Sequence, residues 1–472
     1  MDTLHDKFYG GAALIGGFIT LFGLVSLFVK EHLFLAESLV STLFGVLIGP
    51  KALNLVEFDI DSVTYLTQQF TRVVISFQVM EVGVTLSANY VKRAWKSIAI
   101  FLGPLMLLMW FTSAIIIKFI LGIGWREALI IGACATPTDP VLAASVLKGK
   151  FSNKYIPTHL KNLLAAESGV NDGLGLPFMM LPVLLIAKEA EGGTAEALKD
   201  WFLDIVLYEV ILSIVIGIIC GFGARFLLKK SIKYNLIDKE SFLVFNLALA
   251  LFVTGATALI HSDDLLAVFI AGSAFSWDDQ FKERAKDSHF QEVIDLVFNC
   301  TFFVYFGMIL PWNNFFSGPF PFWKLLLMVV GILLFRRLPY VMLLQPVTGE
   351  LRSMKEAFFA GWFGPMGVGA LFFTTVVKDV LDTHSNPISE DCFTVVCFIV
   401  LSSVIIHSIT VPFTHIHLKT RARRKRRKAT SKKQVDNTVD ATDTEAEDSE
   451  TGESSVKLSE LAESELRKHY NI

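Results

Sequence analysis

Apolar runs long enough to cross a lipid bilayer recur along almost the whole chain, and no other feature restricts its fold as strongly. A helical span needs about 17–25 mostly apolar residues. Thirteen segments approach or meet that length, near 10–29, 33–49, 66–88, 97–121, 126–147, 160–187, 201–228, 242–260, 263–277, 290–310, 322–345, 356–378 and 391–418. Backbone N–H and C=O groups in hydrocarbon have to be satisfied within their own segment, which makes these runs helices. The expected class is therefore an all-α polytopic membrane protein. Composition agrees: of 472 residues 53% are hydrophobic and only 18% charged, where a soluble chain carries about a quarter charged residues. The pair 242–260 and 263–277 is short and is separated only by His261-Ser262-Asp263-Asp264. The first run is too long for a signal-peptide core and little basic charge precedes it, so it reads as a retained span.

Loop charges test the count of thirteen. With the N-terminus outside, the alternation puts Lys30, Lys92-Arg93-Lys96, Lys148 to Lys161, Arg225 to Lys239, Lys282 to Lys286 and Arg352-Lys355 in the cytoplasm. Only scattered residues fall outside: Lys7, Lys51, Arg126, Lys188, Lys199, Lys324 and Lys378. Positive charge favours the cytoplasmic side, so this pattern supports thirteen spans with the N-terminus out and the C-terminus in. From about residue 419 to 472 the chain turns basic and then rich in Ser, Thr, Asp and Glu, which predicts a disordered cytoplasmic tail. Its basic run, 421–428, suits anionic lipid headgroups, and 456–466 is amphipathic. The five cysteines all lie in apolar runs without metal-ligand spacing and read as small buried hydrophobes.

Two clusters of polar residues interrupt these runs. In the fifth span, Thr136-Pro137-Thr138-Asp139-Pro140 carries two residues without an N–H, and the freed carbonyls need partners. Broken backbone in a membrane is tolerated where it lines a cavity or is buried in protein. Asp139 between the prolines is placed to cap a half-helix or to hold an ion through water. In the sixth span, Glu167-Ser168-Gly169-Val170-Asn171-Asp172-Gly173 brings two carboxylates, a hydroxyl and an amide into one helix. Ser168 and Asp172, four apart, share a face. Charge in a span is costly and marks ion or proton pathways. A carboxylate withdrawn from water holds a proton more readily, so a proton and a hard monovalent cation would compete for Asp172.

Further polar residues extend the pattern. Arg336-Arg337-Leu338-Pro339 ends the eleventh span; either a guanidinium pairs with Glu167, leaving Asp172 free to titrate, or both sit at the cytoplasmic interface. The twelfth span contains Gly361-Trp362-Phe363-Gly364-Pro365-Met366-Gly367-Val368-Gly369, whose glycines around Pro365 favour unwinding or close crossing. It lies seven spans after Thr138-Asp139-Pro140, an odd offset that makes the two broken helices opposed members of inverted repeats. Asp263 and Asp264 open the ninth span, either as a helix cap or as an attractor of external cations. Glu81 in the third span is a candidate contributor to a cation site. His407 in the last span is either pH-sensitive or a hydrogen-bonded packing residue.

In this order, Thr138-Asp139-Pro140-Val141-Leu142, Glu167 to Gly173, Asp263-Asp264-Leu265-Leu266, Pro311-Trp312, Arg336 to Pro339 and Phe363 to Val368 resemble the monovalent cation/proton antiporter family, and within it the fungal plasma-membrane sodium/proton antiporters. The resemblance covers roughly residues 10–418. It implies the sodium/proton antiporter fold, a homodimer of 13-span protomers with two crossed broken helices. A core (about 97–187 and 322–418) would move as an elevator against a scaffold (about 10–88 and 242–310), joined by a linker helix near 201–228. Asp172 would carry Na+ or Li+, or a proton in their place, with Asn171, Thr138, Ser168 and Asp139 completing the site. Glu167, Arg336, Arg337, Pro137, Pro140, Gly364, Pro365 and Gly367 would support it. The implied activity is export of Na+ and Li+, with K+ a further candidate, in exchange for H+ at the plasma membrane, serving salt tolerance and pH homeostasis. No cofactor and no nucleic acid enter this picture. The chain departs from fungal relatives in having Trp362 where they carry a histidine, and Thr85 where many place an acid.

Three other readings are weaker or coarser. An intramembrane aspartyl protease would use Asp139 and Asp172, but neither stands in the Tyr-Asp or Gly-x-Gly-Asp setting of that family. A passive channel is told from an exchanger by proton coupling. A K+(Na+)/H+ exchanger of an intracellular membrane shares the fold.

Overall fold

The computed structural model describes residues 3–29, 32, 35–56, 60–140, 142–143, 156–188, 193–285, 290–382 and 390–410. The expectations for the tail, its basic run and the 456–466 stretch fall outside these residues, as do most of the residues following the fifth-span break. Among the described residues the regular elements are all helices. In chain order α1 is Thr3–Phe28, α2 Glu37–Ile48, α3 Ile60–Thr85, α4 Ala88–Leu121 and α5 Trp125–Cys134. Next come α6 Thr158–Ala187, α7 Gly193–Lys233, α8 Lys239–Leu259, α9 Asp264–Phe275 and α10 Phe290–Ile309. The last are α11 Phe322–Phe335, α12 Leu338–Leu344, α13 Met354–Trp362, α14 Val368–Asp382 and α15 Glu390–Thr410.

Each of the thirteen expected segments carries helix. Among the described residues, eight helical segments are long and apolar enough to cross a membrane, with Phe322–Val347 counted as one, and α2 and α9 are shorter apolar ones. The doubtful pair 242–260 and 263–277 resolves into α8 and α9, joined by a turn in which His261 has φ of 52°. Two helices exceed their expected lengths: α4 has 34 residues and α7 has 41. Pro104 offers no N–H to the carbonyl one turn back, and α4 widens to π winding over Phe101–Leu105. An interruption the sequence reading left out separates α11 from α12 at Arg336-Arg337. Pro339 in the first turn of α12 explains it, because it cannot bond the carbonyl of Phe335.

The centre of the bundle is α9. It is apolar on all sides and packs against α3, α6, α7 and α8, with Leu265 through Phe269 buried, as a helix without a polar face has to be. Lipid offers no hydrophobic drive for helix pairing, so backbones approach closely at small residues. Gly83 of α3 and Gly272 of α9 show this: a Cβ on Gly83 would lie 2.7 Å from the Phe269 carbonyl, and one on Gly272 2.9 Å from that of Met80. In contrast α1 and α7 expose large apolar residues outward, among them Leu21, Leu24, Phe202, Ile219 and Phe226. Those faces suit a hydrocarbon surrounding.

Candidate cation and proton site

Two breaks in regular helix meet beside α6. The first follows Cys134, where α5 ends; residues 135–139 are non-helical and winding resumes at Pro140. Proline at a first helical position loses nothing, since that N–H has no helical partner. The second break, residues 363–367, separates α13 from α14. Both lie where the sequence reading placed them, at Pro137/Pro140 and around Gly364, Pro365 and Gly367.

The breaks are hydrogen-bonded to each other through Asp139. Its N–H donates to the Pro365 carbonyl at 2.8 Å. One carboxylate oxygen accepts the Leu142 N–H at 2.9 Å and the other accepts the Val368 N–H at 2.5 Å. A single carboxylate thus caps the N-termini of both resuming half-helices, where the helix dipole favours negative charge. Gly367 makes room for this, because a Cβ there would overlap Asp139 Oδ2. At the opposite ends, Arg336 donates to the carbonyls of Ala135 and Thr136 on the first break and to that of Gly364, at 2.5 Å, on the second. One guanidinium therefore serves both half-helix C-termini, where positive charge is favoured. The Thr136 hydroxyl donates to the Gly132 carbonyl at 2.7 Å.

Arg337 answers the question left open for Glu167. It grips both carboxylate oxygens, with Nη2 to Oε2 at 2.7 Å and Nη1 to Oε1, while Nε donates to the Ala360 carbonyl at 2.9 Å. Arg336 and Arg337 are 2% and 3% exposed, so the alternative of two arginines resting at an interface does not hold. Gly364 packs against the Arg337 side chain, which a Cβ would strike.

On α6 the remaining polar residues face the first break. Asn171 Nδ2 donates to Thr138 Oγ1 at 2.8 Å, and that hydroxyl is 3.0 Å from Ser168 Oγ. Asp172 is 1% exposed, and neither of its carboxylate oxygens has a hydrogen-bond partner. Asn171 Oδ1 is buried and unpartnered as well. Gly369, at the start of α14, lies directly against Asp172, and a Cβ there would overlap Oδ1. A buried, uncompensated carboxylate is unstable as a bare anion; it needs a proton or a cation. The neighbouring side chains on α6 and the first break offer the hydroxyls of Thr138 and Ser168 and the unpartnered Asn171 Oδ1, oxygen ligands of the kind a hard monovalent ion takes. The structure thus brings together Asp172, Asn171, Ser168, Thr138, Asp139, Glu167, Arg336 and Arg337.

The remaining expected residues make the following contacts, His407 at the edge of the second break. Glu81 sits half-buried on α3, where its carbonyl accepts the Thr85 hydroxyl at 2.7 Å, and the neighbouring Val82 packs at Gly169 of α6. Asp263 is the N-cap of α9 and accepts the Leu266 N–H at 2.9 Å. Asp264 pairs with Arg72 of α3 at 3.3 Å. His407 of α15 is buried 3.1 Å from the Trp362 carbonyl. Sequence reasoning counted Gly369 among the glycines around Pro365 without placing it at the site, and missed Arg72 and Ser403. Arg72 is a charge inside an apolar run, and Ser403 stands one helical turn from His407; both signals were available.

Residues 17–417 match the family described as sodium/hydrogen exchanger, transmembrane. A probable sodium/proton antiporter of Schizosaccharomyces pombe is 40% identical over 422 residues, 85% of this chain and 55% of that protein. A sodium/proton antiporter of Saccharomyces cerevisiae is 36% identical over 435 residues, covering 86% of this chain and 44% of the relative. The chain thus spans about half the length of these relatives. The solved structure of the sodium proton antiporter MjNhaP1 from Methanocaldococcus jannaschii superposes with a TM-score of 0.66 at 20% identity, covering 86% of this chain and 99% of that one, which establishes a shared fold. By the extent of the family match and the identity to the yeast proteins, the chain belongs to the sodium/hydrogen exchanger family.

Proposed function

We propose that this protein exchanges Na+ for H+ across a membrane, with the two ions alternating at Asp172. The observation that carries the reading is the buried Asp172 carboxylate with both oxygens unpartnered. Asn171, Thr138 and Ser168 supply neutral oxygen beside it, and Asp139 is committed to the two half-helix caps. Since Glu167 is neutralised by Arg337, Asp172 is the group on α6 left to be balanced by whichever ion is bound. Each ion excludes the other, which is what couples the two fluxes. The names of the yeast relatives agree with sodium and proton as the ions.

The finer reading follows the same lines. The core, about 97–187 and 322–418, carries the site and moves as an elevator against the scaffold, about 10–88 and 242–310, in a homodimer. Residues 201–228 link them. The membrane is the plasma membrane, with the N-terminus outside and the basic tail on cytoplasmic anionic lipid. Li+ and K+ share the site, and the role is cation and pH homeostasis under salt.

The test is dissipation of a pH gradient in proteoliposomes holding wild type or Asp172→Asn, on adding Na+, Li+, K+ or choline. Wild type should move protons with Na+ and Li+ but not choline, and Asp172→Asn should show none of it. Cation flux without proton movement would overturn the proposal in favour of a channel, and a half-saturating K+ concentration below that of Na+ would reassign the substrate.

A further inference from the structure

An unbroken helix through residues 362–366 would hydrogen-bond the Met366 N–H to the Trp362 carbonyl one turn back. The break separates these groups, and two side chains of one helix bond one each, the Trp362 carbonyl also accepting the Gly364 N–H at 3.0 Å. Ser403 Oγ accepts the Met366 N–H at 2.8 Å, and His407 Nε2 lies 3.1 Å from the Trp362 carbonyl. The two residues are one turn apart on α15, with Ser403 fully buried and His407 5% exposed. They also meet each other: His407 Nδ1 is 3.2 Å from Ser403 Oγ and 2.9 Å from the Ser403 carbonyl. Each ring nitrogen faces a carbonyl, Nε2 that of Trp362 and Nδ1 that of Ser403, and a neutral ring donates to one of them; the Nε2–H tautomer serves Trp362 and leaves Nδ1 to accept the Ser403 hydroxyl proton.

We infer that Ser403 and His407 are positioning residues that replace the missing turn of helix and hold the unwound segment in the register the ion site needs. This rests on the exchange reading given above. The segment they hold is the one whose groups build the site: Pro365 accepts the Asp139 N–H, Gly364 accepts Arg336, Val368 caps onto Asp139, and Gly369 abuts Asp172. A shift of this segment of a few tenths of an ångström therefore reaches both carboxylates, although neither Ser403 nor His407 contacts them. Burial of a lone polar group in an apolar span would not require this matching. Here Ser403 offers the acceptor that the Met366 N–H lost, and His407 adds a second donor to a Trp362 carbonyl that Gly364 already holds.

The experiment compares Ser403→Ala, His407→Leu, His407→Gln and Ser403→Ala/His407→Leu with wild type in the full chain, using proteoliposome exchange and hydrogen exchange of the 358–372 peptide. Ser403→Ala, which leaves the buried Met366 N–H unpaired, and His407→Leu, which removes one of the two donors on the Trp362 carbonyl, should each raise the half-saturating Na+ concentration about tenfold. The double variant should fall short of the product of the two, because both act on one segment. His407→Gln, which keeps a donor, should return to within about threefold of wild type. Both single variants should speed hydrogen exchange in 358–372. Unchanged Na+ dependence and unchanged hydrogen exchange in Ser403→Ala, or equal loss in His407→Leu and His407→Gln, would overturn the inference. If His407→Leu does not fold, Ser403→Ala, which removes one oxygen atom, decides. The hydrogen-exchange arm needs no transport, so a wild type without exchange would refute the proposed function while leaving this arm to judge the pair.

Discussion

The two carboxylates of α6 are five residues apart and equally withdrawn from water, with Glu167 3% exposed and Asp172 1%, yet they are opposite kinds of site. Glu167 is closed: Arg337 takes both of its oxygens. Asp172 is open, with no partner on either oxygen. Burial alone therefore does not mark a functional charge. What separates the two is whether the protein itself supplies the balancing charge or leaves that to a mobile ion. The same division runs through the breaks, where Asp139 and Arg336 settle four half-helix ends with fixed charges. Glu167, Asp139 and Arg336 are thus engaged by groups of the protein itself, whereas both oxygens of Asp172 are left without a hydrogen-bond partner.

The largest effects should come from reversing that contrast. Asp172→Asn should abolish exchange while holding the melting temperature in choline buffer at or above wild type, because it removes a charge the fold does not compensate. Glu167→Gln should do the converse. It leaves a buried guanidinium short of its counter-ion, a loss of about 3–5 kcal/mol in other proteins, read as a lower melting temperature and lower yield of folded protein. Removing both partners, as Glu167→Leu with Arg337→Met, should recover most of that loss. Thermal unfolding of the purified proteins checks all three. A Glu167→Gln protein as stable as wild type, beside an unstable Asp172→Asn, would break the comparison outright.

A middle-sized effect should separate the two glycines that face these side chains. A Cβ at Gly364 would strike Arg337, and one at Gly369 would strike Asp172. Gly364→Ala should therefore lower stability with little change in the half-saturating Na+ concentration of the protein that does fold. Gly369→Ala should raise that concentration about tenfold, equivalent to 1.4 kcal/mol, with a smaller effect on melting. Equal Na+ dependence in the two variants would show that the open and closed ends are not distinct.

How far the sequence could be read follows from the same physics. The breaks were legible because proline and glycine act locally: Pro137, Pro140 and Pro365 remove N–H groups wherever the chain goes. The open carboxylate was legible because a charge in an apolar run stands out in one dimension. Pairing was legible only as a choice. That Arg337 takes Glu167, while Arg336 bridges Ala135 and Gly364 from some 200 and 28 residues away, depends on which helices cross and how close they lie. Asp139 shows the limit most clearly. Its position between prolines allowed a cap or an ion ligand, and only the arrival of Val368 from the other break makes it a cap for two helices at once. The pairing of Arg72 with Asp264 and the service of Ser403 to Met366 are of this kind too. They join helices whose contact no local pattern records.

The smallest effect sharpens the boundary between the fixed and the mobile parts of the site. Thr138 is the meeting point of Asn171 and Ser168, and its hydroxyl makes both contacts. Thr138→Ser keeps the oxygen and should change the half-saturating Na+ concentration by no more than about threefold, since one retained hydrogen bond differs little between the two hydroxyls. Thr138→Val keeps the shape and removes the oxygen, which strands the Asn171 amide in a buried setting and should raise that concentration about tenfold. Measured in the same proteoliposomes, the ratio of the two isolates the hydroxyl from the packing. If Val and Ser behave alike, Thr138 holds α6 against the break by shape alone, and the neutral oxygens beside Asp172 reduce to those of Ser168 and Asn171.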